Sequence, residues 1–232
     1  MADQYGKQPS LAIRYAAHSA GERLGAFARE QAQLVEESWR IVACEYEIKL
    51  SFAHGITLSG TIDRIDRHPN GSIRVIDYKT GEAAHGPDKS HFGTVPKDRD
   101  LPEWAAVDLQ TDPAKAPKWK AWADLQLPLY AWCVRNDPEL QTVCGTGPIE
   151  TGYIALPKAL TQTGWLPFDT ESDALRDAAI TCAEHIAAAV QAREFWPPSP
   201  TVKYDDIAPW LHHGVDHDIV PDELLAWMEA QA

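Results

Sequence analysis

Apolar residues change their spacing several times along this chain, and each change marks an element. From about Ser10 to Glu37 they recur at helical intervals. Leu24, Phe27, Ala28, Leu34 and Val35 form a stripe that Gln31 interrupts, which predicts an amphipathic helix packed across a sheet. Trp39 to Phe52 shortens to alternation and predicts a first strand, with His54-Gly55 as the turn into the next. Between Gly60 and Gly81 two alternating runs flank Pro69-Asn70-Gly71, the signature of a hairpin. Glu82 to Lys118 has no sustained period and reads as a long excursion rich in Pro, Asp, Lys and Gly. Asp124 to Arg135 returns to helical spacing, with Leu125, Leu129, Trp132 and Cys133 as its buried stripe, provided Pro128 falls in or near the first turn. A further strand is predicted from Ile149 to Leu156. Thr170 and Asp173 resemble a capping box that opens a last helix running to about Glu194.

The hairpin carries the chemistry. A three-residue loop of Pro69, Asn70 and Gly71, with Gly71 in the left-handed position, pairs His68 with Ser72 and sets Asp63 opposite Asp77. Alternation then gives Asp77 and Lys79 the face of Ile65, Ile73 and Val75, and turns Arg64, Asp66, Ile76 and Tyr78 the other way. Opposed carboxylates repel unless a proton or cation lies between them, and a hard divalent ion suits such a pair. A cross-strand salt bridge of Lys79 with two surface acids would use the same residues, and a two-residue Asn-Gly loop would shift the register by one. Gln126 and Tyr130, four apart on the following helix, reach a common place. Glu45 and Glu47 share one face of the first strand, and join Asp63 only if the intervening turn pairs odd with odd positions.

Composition narrows the class. The 232 residues are 44% hydrophobic with nine tryptophans, enough for a full core and most simply one domain. No run is long or apolar enough for a membrane span, and the polar start predicts no signal peptide. Cys44, Cys133, Cys144 and Cys182 are scattered without a Cys-x-x-Cys pair, so neither a disulfide framework nor a zinc ribbon is indicated and a cytoplasmic location follows. Charge pulls against one class of partner. With 21 Lys+Arg against 34 Asp+Glu, the formal net charge of −13 has the wrong sign for a free-standing holder of a polyanion.

Gly60-x-x-Asp63-Arg64, then Asp77-Tyr78-Lys79-Thr80, then Gln126-x-x-x-Tyr130 resemble the ordered motifs of the PD-(D/E)XK nuclease superfamily in its RecB-like and AddB-like branch. The resemblance is dense from about Glu45 to Tyr130 and coarser as far as Phe195-Trp196-Pro197-Pro198. It implies an α/β restriction-endonuclease-like core, a central mixed sheet flanked by helices, and metal-dependent hydrolysis of DNA in repair or recombination. It further implies Asp63 and Asp77 as ligands of Mg²⁺ or Mn²⁺, Lys79 as the catalytic lysine, and Gln126 and Tyr130 as the helical motif.

The resemblance also implies secondary candidates. Glu45 fits the position of a family glutamate, and His18 and His54 are the histidines available for an N-terminal helix ligand, His18 reading better as a helix-surface residue. No cysteine follows Phe195, so no iron-sulfur cluster is expected, and Trp196, Trp210 and Trp227 take over packing there. His212, His213, Asp216, His217 and Asp218 read as a solvated loop sooner than a transition-metal site. Lys89, His91, Lys97 and Arg99 in the excursion are candidate phosphate contacts. The acidic balance and the weak N-terminal histidine motif fit the C-terminal part of a longer protein, with a helicase-like or DNA-binding segment or subunit supplying the grip. The rival readings are a nuclease fold that binds DNA ends or partners without cutting, and a hydrolase of small phosphoesters.

Overall fold

The computed structural model describes residues 10–95, 101–110, 112 and 114–195. The chain divides into two units, Met1–Arg193 and Glu194–Ala232, and every element named below belongs to the first. Lys97, Arg99, the three C-terminal tryptophans and the His212 to Asp218 cluster lie outside the described residues.

Helix α1 (Leu11–Glu36) starts at Ser10, whose hydroxyl accepts from the Ile13 amide. Strands β1 (Arg40–Ser51), β2 (Thr57–Arg67) and β3 (Ile73–Gly81) follow as an antiparallel meander. The excursion then forms a short helix α2 (Pro87–His91) and the strands β4 (Phe92–Gly93), β5 (Ala106–Asp108) and β6 (Trp119–Trp122), which pair as a separate small sheet in the order β4-β6-β5. Helices α3 (Gln126–Asn136) and α4 (Pro138–Cys144), strands β7 (Ile149–Pro157) and β8 (Gly164–Pro167), and helix α5 (Asp173–Ala192) complete the unit. The main sheet has the order β1-β2-β3-β7-β8, with β3 and β7 parallel and the other neighbours antiparallel. This is an α/β fold with a mixed central sheet flanked by helices, consistent with a restriction-endonuclease-like core.

The two faces of β3 bury different things. Ile73 and Val75 join Ile62, Ile65, Ala131 and Val134 in a core closed by α3 and α4, whereas Ile76 and the partly buried Tyr78 pack with Leu34 and Phe27 of α1. Ile62, Ile65, Ile73, Val75 and Ile76 are all fully buried. Each contributes about 1.5–3 kcal/mol, so together they outweigh the roughly 4 kcal/mol by which two carboxylates 4 Å apart repel in a partly solvated setting. The hairpin can therefore hold acids together.

Several local expectations need correction. The excursion is not a bare loop, because its Phe92, Val107 and Leu109, together with Trp122 of β6 just after it, pack on Leu127, Tyr153, Phe168 and Leu175. The buried stripe of α3 is Leu127, Pro128, Ala131, Cys133 and Val134, not one running through Leu125, Leu129 and Trp132. This helix is covered by the sheet and by α4 and α5, and Pro128 sits third, where a missing N–H breaks no helical bond. On α1, Leu24 and Val35 are exposed while Ala26 and Leu34 are buried. Gln31 belongs to the packed face, since it accepts from Arg64. Helix α5 is capped by Ser172, which accepts from Leu175 at 3.2 Å, and Thr170 instead donates to Asp88.

Candidate active site

The β2–β3 turn fixes the register as its residues dictate. Gly71 takes φ of 94°, His68 N donates to Ser72 O at 2.9 Å, and Gly71 N returns to His68 O at 2.9 Å. The ladder runs Arg67↔Ile73, Asp66↔Arg74, Ile65↔Val75, Arg64↔Ile76 and then stops. The next position belongs to Asp63 and Asp77. There the Tyr78 amide donates to the Asp63 Oδ2 at 2.8 Å. A carboxylate thus takes the place of a ladder carbonyl and is tied to the strand that carries Asp77.

The opposite neighbour of Asp63 is distorted as well. Cys44↔Arg64 and Tyr46↔Ile62 pair on either side of Glu45 and Asp63, which are themselves unpaired, and Glu45 adopts φ of 47°. A left-handed conformation at a non-glycine residue costs about 1–3 kcal/mol and concentrates at functional sites. Odd pairs with odd, as the shared face of Glu45 and Asp63 requires, but the Glu45 side chain is exposed.

Asp77 and Lys79 meet α3 at its first turn. Asp124 Oδ1 accepts from Gln126 N at 2.7 Å and so orders the start of the helix. Gln126 Nε2 donates to Asp77 Oδ1 at 2.9 Å and to the Tyr130 hydroxyl at 3.1 Å, while its Oε1 accepts from Lys79 Nζ at 3.3 Å. Tyr130 spends its own proton on Thr61 O at 2.6 Å. Only this amide orientation gives Asp77 a donor and Lys79 an acceptor. Lys79 Nζ also lies 2.8 Å from Asp77 Oδ2, with side-chain exposures of 43% and 6%. That approach is an ion pair without hydrogen-bond geometry, and the buried Oδ2 accepts no hydrogen bond. Burial raises the Asp77 carboxyl above the usual carboxylate range, the Lys79 ammonium and Gln126 amide pull it down, and the Asp63 charge raises it again. Burial likewise raises the Tyr130 phenol, which stays a neutral link.

The structure brings Asp63, Asp77, Lys79, Gln126 and Tyr130 into one connected region. It does not bring His18, which is exposed on α1 and lies 3.7 Å from Glu22. His54 sits in the turn after β1 with φ of 55° and is also exposed. His91 is no phosphate contact, because it is fully buried. Lys89 remains on the surface beside His85. Asp66 faces away as alternation requires, yet it is no bystander: with no exposed surface, it receives Arg64 Nε at 2.6 Å and a second guanidinium nitrogen at 2.5 Å. Sequence reasoning missed the parts of Asp124 and Tyr153 around the lysine, and gave His91 a different one. The aspartate two residues before Gln126 was the one legible signal, as an Asx cap.

The donor set fits a hard cation that needs few protein ligands. Among the described residues no group of three or more His, Cys, Asp or Glu converges, but the two neighbouring carboxylates of Asp63 and Asp77 match Mg²⁺, which keeps several waters and takes one or two carboxylates plus substrate phosphate. No helix among the described residues is long and apolar enough to cross a membrane. Compared with known families, residues 2–203 match the model of the PD-(D/E)XK nuclease superfamily. No curated protein matches the chain significantly.

Proposed function

The chain belongs to the PD-(D/E)XK nuclease superfamily, and on that premise we propose that it is a Mg²⁺- or Mn²⁺-dependent deoxyribonuclease acting in DNA repair or recombination, with RecB-like motifs and a cytoplasmic place of work. The observation that carries this reading is the buried Asp77 carboxylate ion-paired with the half-exposed Lys79, with Asp63 tied to the next residue of the same strand. Asp63 and Asp77 would hold the cation, which when bound supplies Lewis-acid polarisation of the scissile phosphate and a more acidic water. Lys79, half-exposed at the mouth while Asp77 forms the wall, orients the attacking water and offsets negative charge growing on the phosphoryl oxygens. Gln126 fixes the lysine and Asp77 relative to each other. Tyr130 fixes Gln126 and ties α3 to the strand of Asp63. Glu45 is a secondary candidate, at the kink of β1 across from the Asp63 position.

The net charge of −13 supports a division of labour, in which a helicase-like or DNA-binding segment or subunit grips the substrate and this unit cuts it. The test is cleavage of linear DNA with and without Mg²⁺ or Mn²⁺ across a salt series. Cleavage that needs the metal, falls steeply with salt and disappears in Asp77→Ala supports the reading. Metal-dependent DNA binding with no cleavage by the wild type under any of these conditions would favour a nuclease fold that binds without cutting.

A further inference from the structure

We propose that Tyr153 and His91 are positioning residues for Lys79, and that the segment after β3 serves this site by carrying His91 beneath the lysine. The proposal rests on the nuclease reading above and extends it to residues that none of the three motifs contains. Tyr153 lies on β7 directly opposite Asp77 of β3 in the parallel ladder. Its ring faces the Lys79 ammonium, 5.0 Å from the ring centroid. The ammonium is therefore held from three sides, by Asp77, by the Gln126 carbonyl and by an aromatic face, with the remaining side open to solvent.

The ring is held in turn. His91 closes α2 and is fully buried, tilted against Phe168 at 4.8 Å and stacked toward Tyr153 at 6.2 Å between centroids. Its Nδ1 lies 2.8 Å from the Asp124 carbonyl, an acceptor only, so Nδ1 carries the proton and Nε2 is left to accept. The Tyr153 hydroxyl, 3.1 Å away, donates to that Nε2. Burial keeps both partners neutral: it lowers the imidazole and pushes the phenol up to about 12. A phenol that donates its proton has a more electron-rich ring, and a ring fixed by a buried hydrogen bond cannot rotate away from the cation above it. Asp124 joins the two halves, because its carbonyl orients His91 while its carboxylate orders Gln126. A surface lysine has several rotamers of similar energy. This lysine is confined to one by a relay from Asp124 through His91 and Tyr153.

The test compares Tyr153→Leu with Tyr153→Phe in the full chain, on linear DNA with Mn²⁺. Losing the ring lowers kcat roughly tenfold with KM unchanged, whereas keeping it without the hydroxyl costs about threefold or less. In a Lys79→Ala background Tyr153→Leu has no further effect on the residual rate. A second measurement needs no variant to fold: the ε-methylene protons of Lys79 in wild-type protein resonate upfield of those of exposed lysines because of the ring beneath. A folded Tyr153→Leu protein with wild-type kcat, or an unshifted Lys79 resonance in the wild type, overturns the proposal. If the wild type cleaves no DNA, the nuclease reading fails and the resonance still decides the placement.

Discussion

The hairpin carries two pairs built from the same materials, an aspartate and a cation two residues apart, one on each face. On the α1 face, Arg64 and Asp66 have exposures of 1% and 0%, and two guanidinium nitrogens meet two carboxylate oxygens. Gln31 takes a third contact from Arg64, and Tyr78 lies 3.4 Å from the same nitrogen. On the α3 face, Asp77 is buried but Lys79 is 43% exposed, one carboxylate oxygen lacks a hydrogen bond, and a second acid, Asp63, stands alongside. The first pair is saturated and has nothing left to offer a ligand. The second is open on the lysine side and carries the repulsion of Asp63, so its cation is held less completely and can be displaced. Residue type does not separate structure from chemistry here; saturation and access do.

The sharpest way to break this contrast is to remove Asp66. Asp66→Ala leaves a buried guanidinium without its counter-charge and should cost about 3–5 kcal/mol, enough to unfold much of the protein at assay temperature. Denaturant titration reads it. Near-wild-type stability would mean that Arg64 finds another partner and that the two faces differ less than their saturation implies. Lys79→Ala is the complementary change on the other face. It should lower DNA cleavage about 10²–10³-fold and lower the unfolding midpoint clearly less than Asp66→Ala does, since water at the open mouth replaces part of what the half-exposed ammonium gives Asp77. Equal loss of stability in both variants would erase the distinction.

Smaller effects sharpen it. Asp77→Asn keeps an acceptor for Gln126 but removes a charge that burial disfavours. Because the folded-state carboxyl lies above its unfolded value, the contribution of Asp77 to stability is greatest at low pH and is lost as pH rises through the folded value. At neutral pH the metal-free Asn variant should therefore melt higher than wild type, and it should gain less from added Mn²⁺. A lower melting point, with an undiminished Mn²⁺ response, would refute this. His91 has the opposite sign. Its folded-state value lies below the unfolded one, so its contribution is complete above about pH 6.5 and declines as pH falls through that value, by at most about 1.4 kcal/mol per pH unit. Melting curves between pH 8 and pH 5 should show a steeper acid loss for wild type than for His91→Phe.

What could be read in the sequence follows from how local each cause is. Gly71 needs positive φ and its loop admits three residues, so the register of the hairpin, and with it the split between the Asp77 and Asp66 faces, was legible from a short stretch. Gln126 and Tyr130 were legible as a pair because a helix places positions four apart together. The Glu45 kink was not, since nothing about a glutamate in an alternating run announces φ of 47°. Strands of two to four residues, such as β4, β5 and β6, are too short to show a period. The burial of His91 and Tyr153 depends on contacts between positions 62 apart in the chain, and the role of Gln31 depends on an arginine from another element. In each case tertiary contact, not local pattern, sets the outcome.

Diffraction from crystals soaked in Mn²⁺, with anomalous difference maps, decides whether the open pair of carboxylates is a cation site. The expected peak is bound by carboxylate oxygens of Asp63 and Asp77, Oδ2 of Asp77 among them, with Lys79 Nζ displaced from that oxygen and no peak at Arg64 and Asp66. An empty pair of carboxylates at saturating Mn²⁺, or an ion bound only elsewhere, would contradict it.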